Sequence, residues 1–153
     1  MPGCASWWSG GTEPACDPPD WVDDPDQASP HPTASRFTAQ ITRAARRLPA
    51  LTIPNTPAGT AGIYDVADDW TPIYDKTSLP GYYVAMGTSG NQFKNAPMAG
   101  VLMAALIESC SKGHDHDADS VTVVCQYTGH TVNLGHYSRV RQVNKDSSFS
   151  VFG

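Results

Sequence analysis

The eight residues Gly87-Thr-Ser-Gly-Asn-Gln-Phe-Lys94 combine two glycines, two small hydroxyl side chains and a closing cation. Small residues let a ligand come close to the backbone. An apolar run, Tyr82-Tyr-Val-Ala-Met86, leads into them, and a helical pattern follows from Asn95. A helix start offers unpartnered N–H groups and the positive end of the macrodipole, so it favours a ligand atom carrying negative charge. Read from its own residues, the segment is an anion or cofactor site at a strand–loop–helix turn. A plain connection is the competing reading.

A second group, His114-Asp-His-Asp-Ala-Asp119, has the imidazoles and carboxylates that hold a divalent ion. It follows a helix, in a polar stretch with no second shell in view, and reads as a solvated linker. His130 and His136 lie between glycines in a weakly patterned tail and read the same way. The cysteines, Cys4, Cys16, Cys110 and Cys125, form no CxxC pair. The sequence has no GxGxxG, GxxxxGK[ST], HExxH or GxSxG, so it does not encode a self-contained dinucleotide site.

The elements that must position these residues are few. Ser35 is the expected N-cap of a first helix, with Phe37, Ile41, Ala44, Ala45 and Leu48 as one apolar stripe and Pro49 as its stop. Strands are predicted at Ile63-Tyr-Asp-Val66 and Trp70-Thr-Pro-Ile-Tyr74, the second demoted to an edge by Pro72. The 82–86 run is apolar on both faces and predicts a strand buried between layers. Asn95 is the expected N-cap of a second helix, with Pro97 in its first turn and Met98, Val101, Leu102, Ala105 and Leu106 as its apolar face. A last strand is expected over Val121–Cys125. Residues 1–34 read as loop, with six acids, no base and four prolines between Glu13 and Asp26.

Composition bounds the function. The 153 residues carry a net charge of −5 and no Lys/Arg-rich face, which argues against sequence-independent nucleic-acid binding. The longest apolar stretch, Pro97–Ile107, falls short of the roughly 18 residues of a membrane span. Met1 is followed by no basic region and no apolar core, so reduced thiols in a cytoplasm are the expectation. Charged residues are 16%, against a usual share of about 25%.

The segment Leu79-Pro-Gly-Tyr-Tyr-Val-Ala-Met-Gly-Thr-Ser-Gly-Asn-Gln-Phe-Lys-Asn-Ala-Pro-Met-Ala-Gly100 resembles the C-terminal flavin motif of the D-amino-acid oxidase superfamily. Its FAD-dependent members include the sarcosine, dimethylglycine and glycine oxidases. Ala61-Gly-Ile-Tyr-Asp-Val-Ala-Asp-Asp-Trp-Thr-Pro-Ile-Tyr74 is similar to the segment that precedes this motif. The first helix keeps the family's order, and the tail from Arg141 is similar to one branch of it. The resemblance covers about residues 12–153 and is most specific over 61–107.

The resemblance implies an α/β to α+β chain, the C-terminal fragment of a two-domain FAD/NAD(P)-binding-like flavoenzyme lacking the N-terminal dinucleotide-binding βαβ. Residues 35–78 would belong to the substrate domain, 79–112 to the FAD domain and 113–153 to a C-terminal extension. It implies FAD as cofactor, lined by Gly87, Ser89, Gly90, Asn91, Gln92 and Phe93. Where the family often reads Ser-Gly-His-Gly-Phe-Lys, Asn91 and Gln92 replace the His and second Gly. Lys94 matches a lysine that binds the substrate carboxylate, and Tyr64 an active-site tyrosine; a solvated lysine and a core tyrosine are the competing readings. Gly62 stands where some relatives attach FAD through cysteine, so binding here is non-covalent. The implied activity is oxidation of a small amine or amino acid, with a separate FAD-binding half as partner. The alternatives are one subunit of a split enzyme, a non-catalytic residual or interaction domain, and a small metal-binding protein using 114–119.

Overall fold

The structure, a computed structural model, describes residues 21–52, 55–56, 58–90 and 92–148. Cys4, Cys16, Asn91 and the acidic residues before Trp21 lie outside the described residues. The chain divides into two compact units, Met1–Ile63 and Tyr64–Gly153.

In the first unit, Ala34–Arg47 forms helix α1. Its N-cap is Thr33, two residues before the expected Ser35: the Thr33 hydroxyl accepts from the Arg36 N–H at 3.3 Å and sits 3.2 Å from the Ser35 hydroxyl. A Thr at the cap satisfies a first-turn donor much as a Ser does, so the two nearby candidates compete. Arg46 and Arg47 occupy the last turn, where cations suit the dipole. No described residue of this unit is fully buried.

The second unit holds the core. Strand β1, Ile73–Lys76, pairs antiparallel with β2, Tyr83–Met86, in the register Ile73↔Met86 to Lys76↔Tyr83. Helix α2, Ala96–Ser111, follows a 3₁₀ turn at Phe93–Asn95. A second hairpin pairs β3, Thr122–Val124, with β4, Thr131–Asn133, and runs into a 3₁₀ turn at Leu134–Tyr137. Tyr74, Leu102, Leu106, Val121 and Leu134 form the buried cluster. Leu102 and Leu106, four apart, face β1 from one side of α2. No helix among the described residues is long and apolar enough to cross a membrane.

Several expectations are corrected. Ile63–Val66 joins no ladder, and Ile63 and Tyr64 are about half exposed. The strand expected at Trp70–Tyr74 starts at Ile73, beyond the Pro72 that cannot donate to a ladder. β2 is not buried on both faces: Ala85 and Met86 are exposed. Asn95 is at the cap position of α2, but its side chain bonds Gln92 instead of the helix N–H groups.

Candidate functional site

The loop after β2 is shaped by three positive backbone angles: Gly87 at φ +68°, Ser89 at +50° and Gly90 at +76°. The left-handed region costs a residue with a Cβ about 1 kcal/mol, which explains two glycines among four residues. Asp65 holds the loop in this shape. Its carboxylate accepts the Gly87 N–H at 2.8 Å and the Thr88 hydroxyl, and its carbonyl accepts the Ser89 N–H at 3.0 Å. Partial burial pushes this carboxyl up, but the Thr88 hydroxyl and the Thr88 and Gly87 amides outweigh it and leave its pKa below the usual value. The adjacent Tyr64 lays its ring on Gly90. A Cβ there would come within 2.6 Å of Tyr64 Cε2 and Cζ.

Two stretches that the sequence joins only by resemblance, 61–74 and 82–94, therefore meet through Asp65 and Tyr64. Gly87 and Ser89 spend their amides on Asp65, so they shape the loop from within, and Ser89 is fully buried. The loop's far end faces outward: Phe93 is 98% exposed and Lys94 is exposed. Both stand in the turn that enters the 16-residue α2. Gln92 faces the other way. Its Oε1 accepts from the Tyr74 hydroxyl at 3.1 Å and from Asn95 Nδ2 at 3.0 Å.

A family model described as FAD dependent oxidoreductase matches residues 6–106. The chain belongs to that family. A search of curated proteins and a search of solved structures both gave no match. The family's cofactor can be tested against the loop. A flavin ring is planar and gains negative charge when reduced. An exposed aromatic at Phe93, a cation at Lys94 and the positive end of α2 suit such a ring.

Sequence reasoning missed the carboxylates that hold the surrounding frame. Asp69, buried, accepts from Arg141 Nη2 at 2.7 Å and Nε at 3.1 Å, and from the N–H groups of Thr71 and Asn144. The Arg141 guanidinium lowers its pKa to about 2 against the cost of burial. Asp75, fully buried in β1, accepts from the Ser138 hydroxyl at 2.9 Å, the Arg139 N–H at 2.7 Å and Arg139 Nη1 at 3.0 Å. Arg139 also grips Asp117 with both terminal nitrogens, and Lys76 bridges Asp115 and Asp117. The available signal was Asp75, directly after the apolar pair Ile73-Tyr74, since a buried carboxylate needs a partner.

The 114–119 segment is therefore no solvated linker. His116 is fully buried, its Nδ1 accepting the Val121 N–H at 3.0 Å and its Nε2 3.7 Å from Asp75 Oδ1. Burial outweighs the nearby carboxylates and holds its pKa below the ordinary histidine value. Its acidic neighbours are drawn into ion pairs with Lys76 and Arg139. His130 and His136 are exposed, as the sequence implies. Among the described residues no group of three or more His, Cys, Asp or Glu side chains is arranged to hold a metal ion.

Proposed function

We propose that these 153 residues supply the flavin-ring side and substrate side of an FAD-dependent oxidoreductase acting on a small amine or amino acid of the sarcosine type. The ADP-binding GxGxxG would come from outside this sequence, in a longer form of the same chain or in a second polypeptide. The supporting observation is the Asp65 clamp on residues 87–89, with Tyr64 seated on Gly90 and Phe93 and Lys94 exposed at the start of α2.

In this reading Gly90, Phe93 and the backbone of Gln92 border the ring, and Gly87 and Ser89 fix the loop that presents them. Lys94 places a point charge for the substrate carboxylate. Tyr64 forms a wall with an apolar body and a polar tip. Gly62 offers no nucleophile, so FAD is held without a covalent bond. Bound FAD supplies the hydride acceptor for amine oxidation, and the protein binds and orients.

Lumiflavin, the ring system without the ADP portion, separates the two parts of the proposal. In 15N NMR titrations it should shift the amides of Phe93 and Lys94 at millimolar concentration. FAD should bind the isolated chain no more tightly than lumiflavin. Unmoved loop amides would overturn the ring-side assignment. Stoichiometric FAD binding with amine turnover by the isolated chain would overturn the need for an outside ADP site.

A further inference from the structure

The second unit carries a cleft of about 330 Å³ between the start of β1, α2 and the Leu134–Tyr137 turn. Trp70, Tyr74 and Tyr137 supply aromatic walls, Met98 and Ala99 part of the floor, and the side of Gln92 one edge. No lining residue is charged. The Tyr74 and Tyr137 rings stand 5.2 Å apart, and burial beside Tyr137 raises the Tyr74 pKa, so its phenol stays neutral. This volume is about twice that of the ~150 Å³ engineered cavity that takes up benzene, and it lies in the range of small-molecule pockets.

Trp70 is held in this wall at a cost. Its φ is +58°, a conformation that a bulky side chain adopts only under constraint. Neighbours on both sides enforce it. The Trp70 N–H donates to the Ala67 carbonyl at 2.9 Å, and the preceding Asp69 is locked by Arg141, Asn144 and the Ser147 hydroxyl. On the other side Arg141 Nη2 reaches the Thr71 carbonyl at 2.8 Å. Backbone strain of this kind persists only where the surroundings over-determine it, as they do here, and such positions cluster at ligand sites.

Gln92 decides the edge of the cleft. Its carboxamide spans from the Tyr74 hydroxyl to Asn95 and separates the aromatic cleft from the outward loop end at Phe93 and Lys94. A glycine at this position would leave that edge open.

We propose that this cleft is a subsite for a neutral aromatic group of one or two rings, with Trp70 and Gln92 as its specificity-determining residues. It stands apart from the outward loop end that carries Phe93 and Lys94, so its occupancy is independent of the flavin reading above. The full chain is titrated with indole, benzylamine and methylamine, followed by 15N NMR of the Trp70 indole and the Gln92 and Asn95 side-chain amides. Indole and benzylamine should shift all three signals, and methylamine should shift none. Ala99→Phe, which fills the cleft, should weaken indole at least tenfold with unchanged circular dichroism. If that variant loses its helix signal, Gln92→Ala should give at least a threefold loss in its place. Equal shifts from methylamine, or wild-type indole affinity in the folded variant, would overturn the proposal. If indole fails while lumiflavin still shifts Phe93 and Lys94, this inference alone falls. If lumiflavin fails while indole binds, the flavin reading falls and the aromatic site stands.

Discussion

Asp69 and His116 are both buried, and each makes the fold sensitive to acid by a different route. The Arg141 guanidinium holds the Asp69 pKa at about 2, below its unfolded value, so its contribution is full above about pH 4 and is lost as pH falls toward 2. The depression is worth about 2 kcal/mol. Asp69→Asn should lower stability by about 3 kcal/mol at neutral pH, because it leaves Arg141 uncompensated. It should also flatten the melting temperature below pH 4 in calorimetry. His116 is held neutral, with its folded pKa below the unfolded one. Its contribution is full above about pH 6.5 and falls as pH drops below that value. His116→Gln, whose amide oxygen can accept the Val121 N–H, should remove this upper step and leave the lower one. At Gly90 the added methyl of Gly90→Ala meets the Tyr64 ring and the +76° backbone angle together. Stability should fall by at least 1 kcal/mol. Tyr64→Ala in the same chain should restore part of it, a coupling that a double-mutant cycle in urea reads.

At the scale of elements, α2 carries the packing. Leu106 is 0% exposed in the central cluster, whereas Val101 and Ile107 on its other side are 53% and 42% exposed. Leu106→Ala should cost 2–5 kcal/mol and Val101→Ala less than about 0.5, measured by denaturant midpoint. Helix α2 was legible because its apolar spacing and Pro97 are local signals. The Tyr82–Met86 strand was legible from its β-formers, although its burial was overestimated. An apolar sequence states what a strand can cover, and this chain leaves Ala85 and Met86 in the open. Ile63–Val66 was misread because its order comes from one aspartate clamping a distant loop, with no periodicity to betray it. The tail was illegible for a similar reason. Its anchors are Ser138, Arg139 and Arg141 on carboxylates more than 60 residues earlier, a pairing that no local pattern encodes.

For the whole molecule, the sparse charge of the composition acquires a physical meaning. Asp69, Asp75, Lys76, Asp117, Arg139 and Arg141 are six of its 25 Asp, Glu, Lys and Arg residues, and they serve one another within the second unit. The surface is correspondingly short of charge, with Leu79, Tyr82, Phe93 and Val101 open on it. Among the described residues every buried hydrophobic side chain lies beyond residue 70, and none of the first unit is fully buried. Amide hydrogen exchange should therefore show α1 opening orders of magnitude faster than α2. Comparable protection in the two helices would contradict this account.

The grip of Arg139 and Arg141 on Asp75 and Asp69 also sets an order of events during synthesis. At a ribosomal pace of about 5–20 residues per second, β1 emerges several seconds before its cationic partners. Until then a growing chain holds two carboxylates with no counter-charge, and water must keep solvating both. The β1–β2 hairpin and α2 can form early, but they cannot close over Asp75. A nascent chain halted before Ser138 should remain open to protease at β1. One released past Arg141 should become resistant in a single late step.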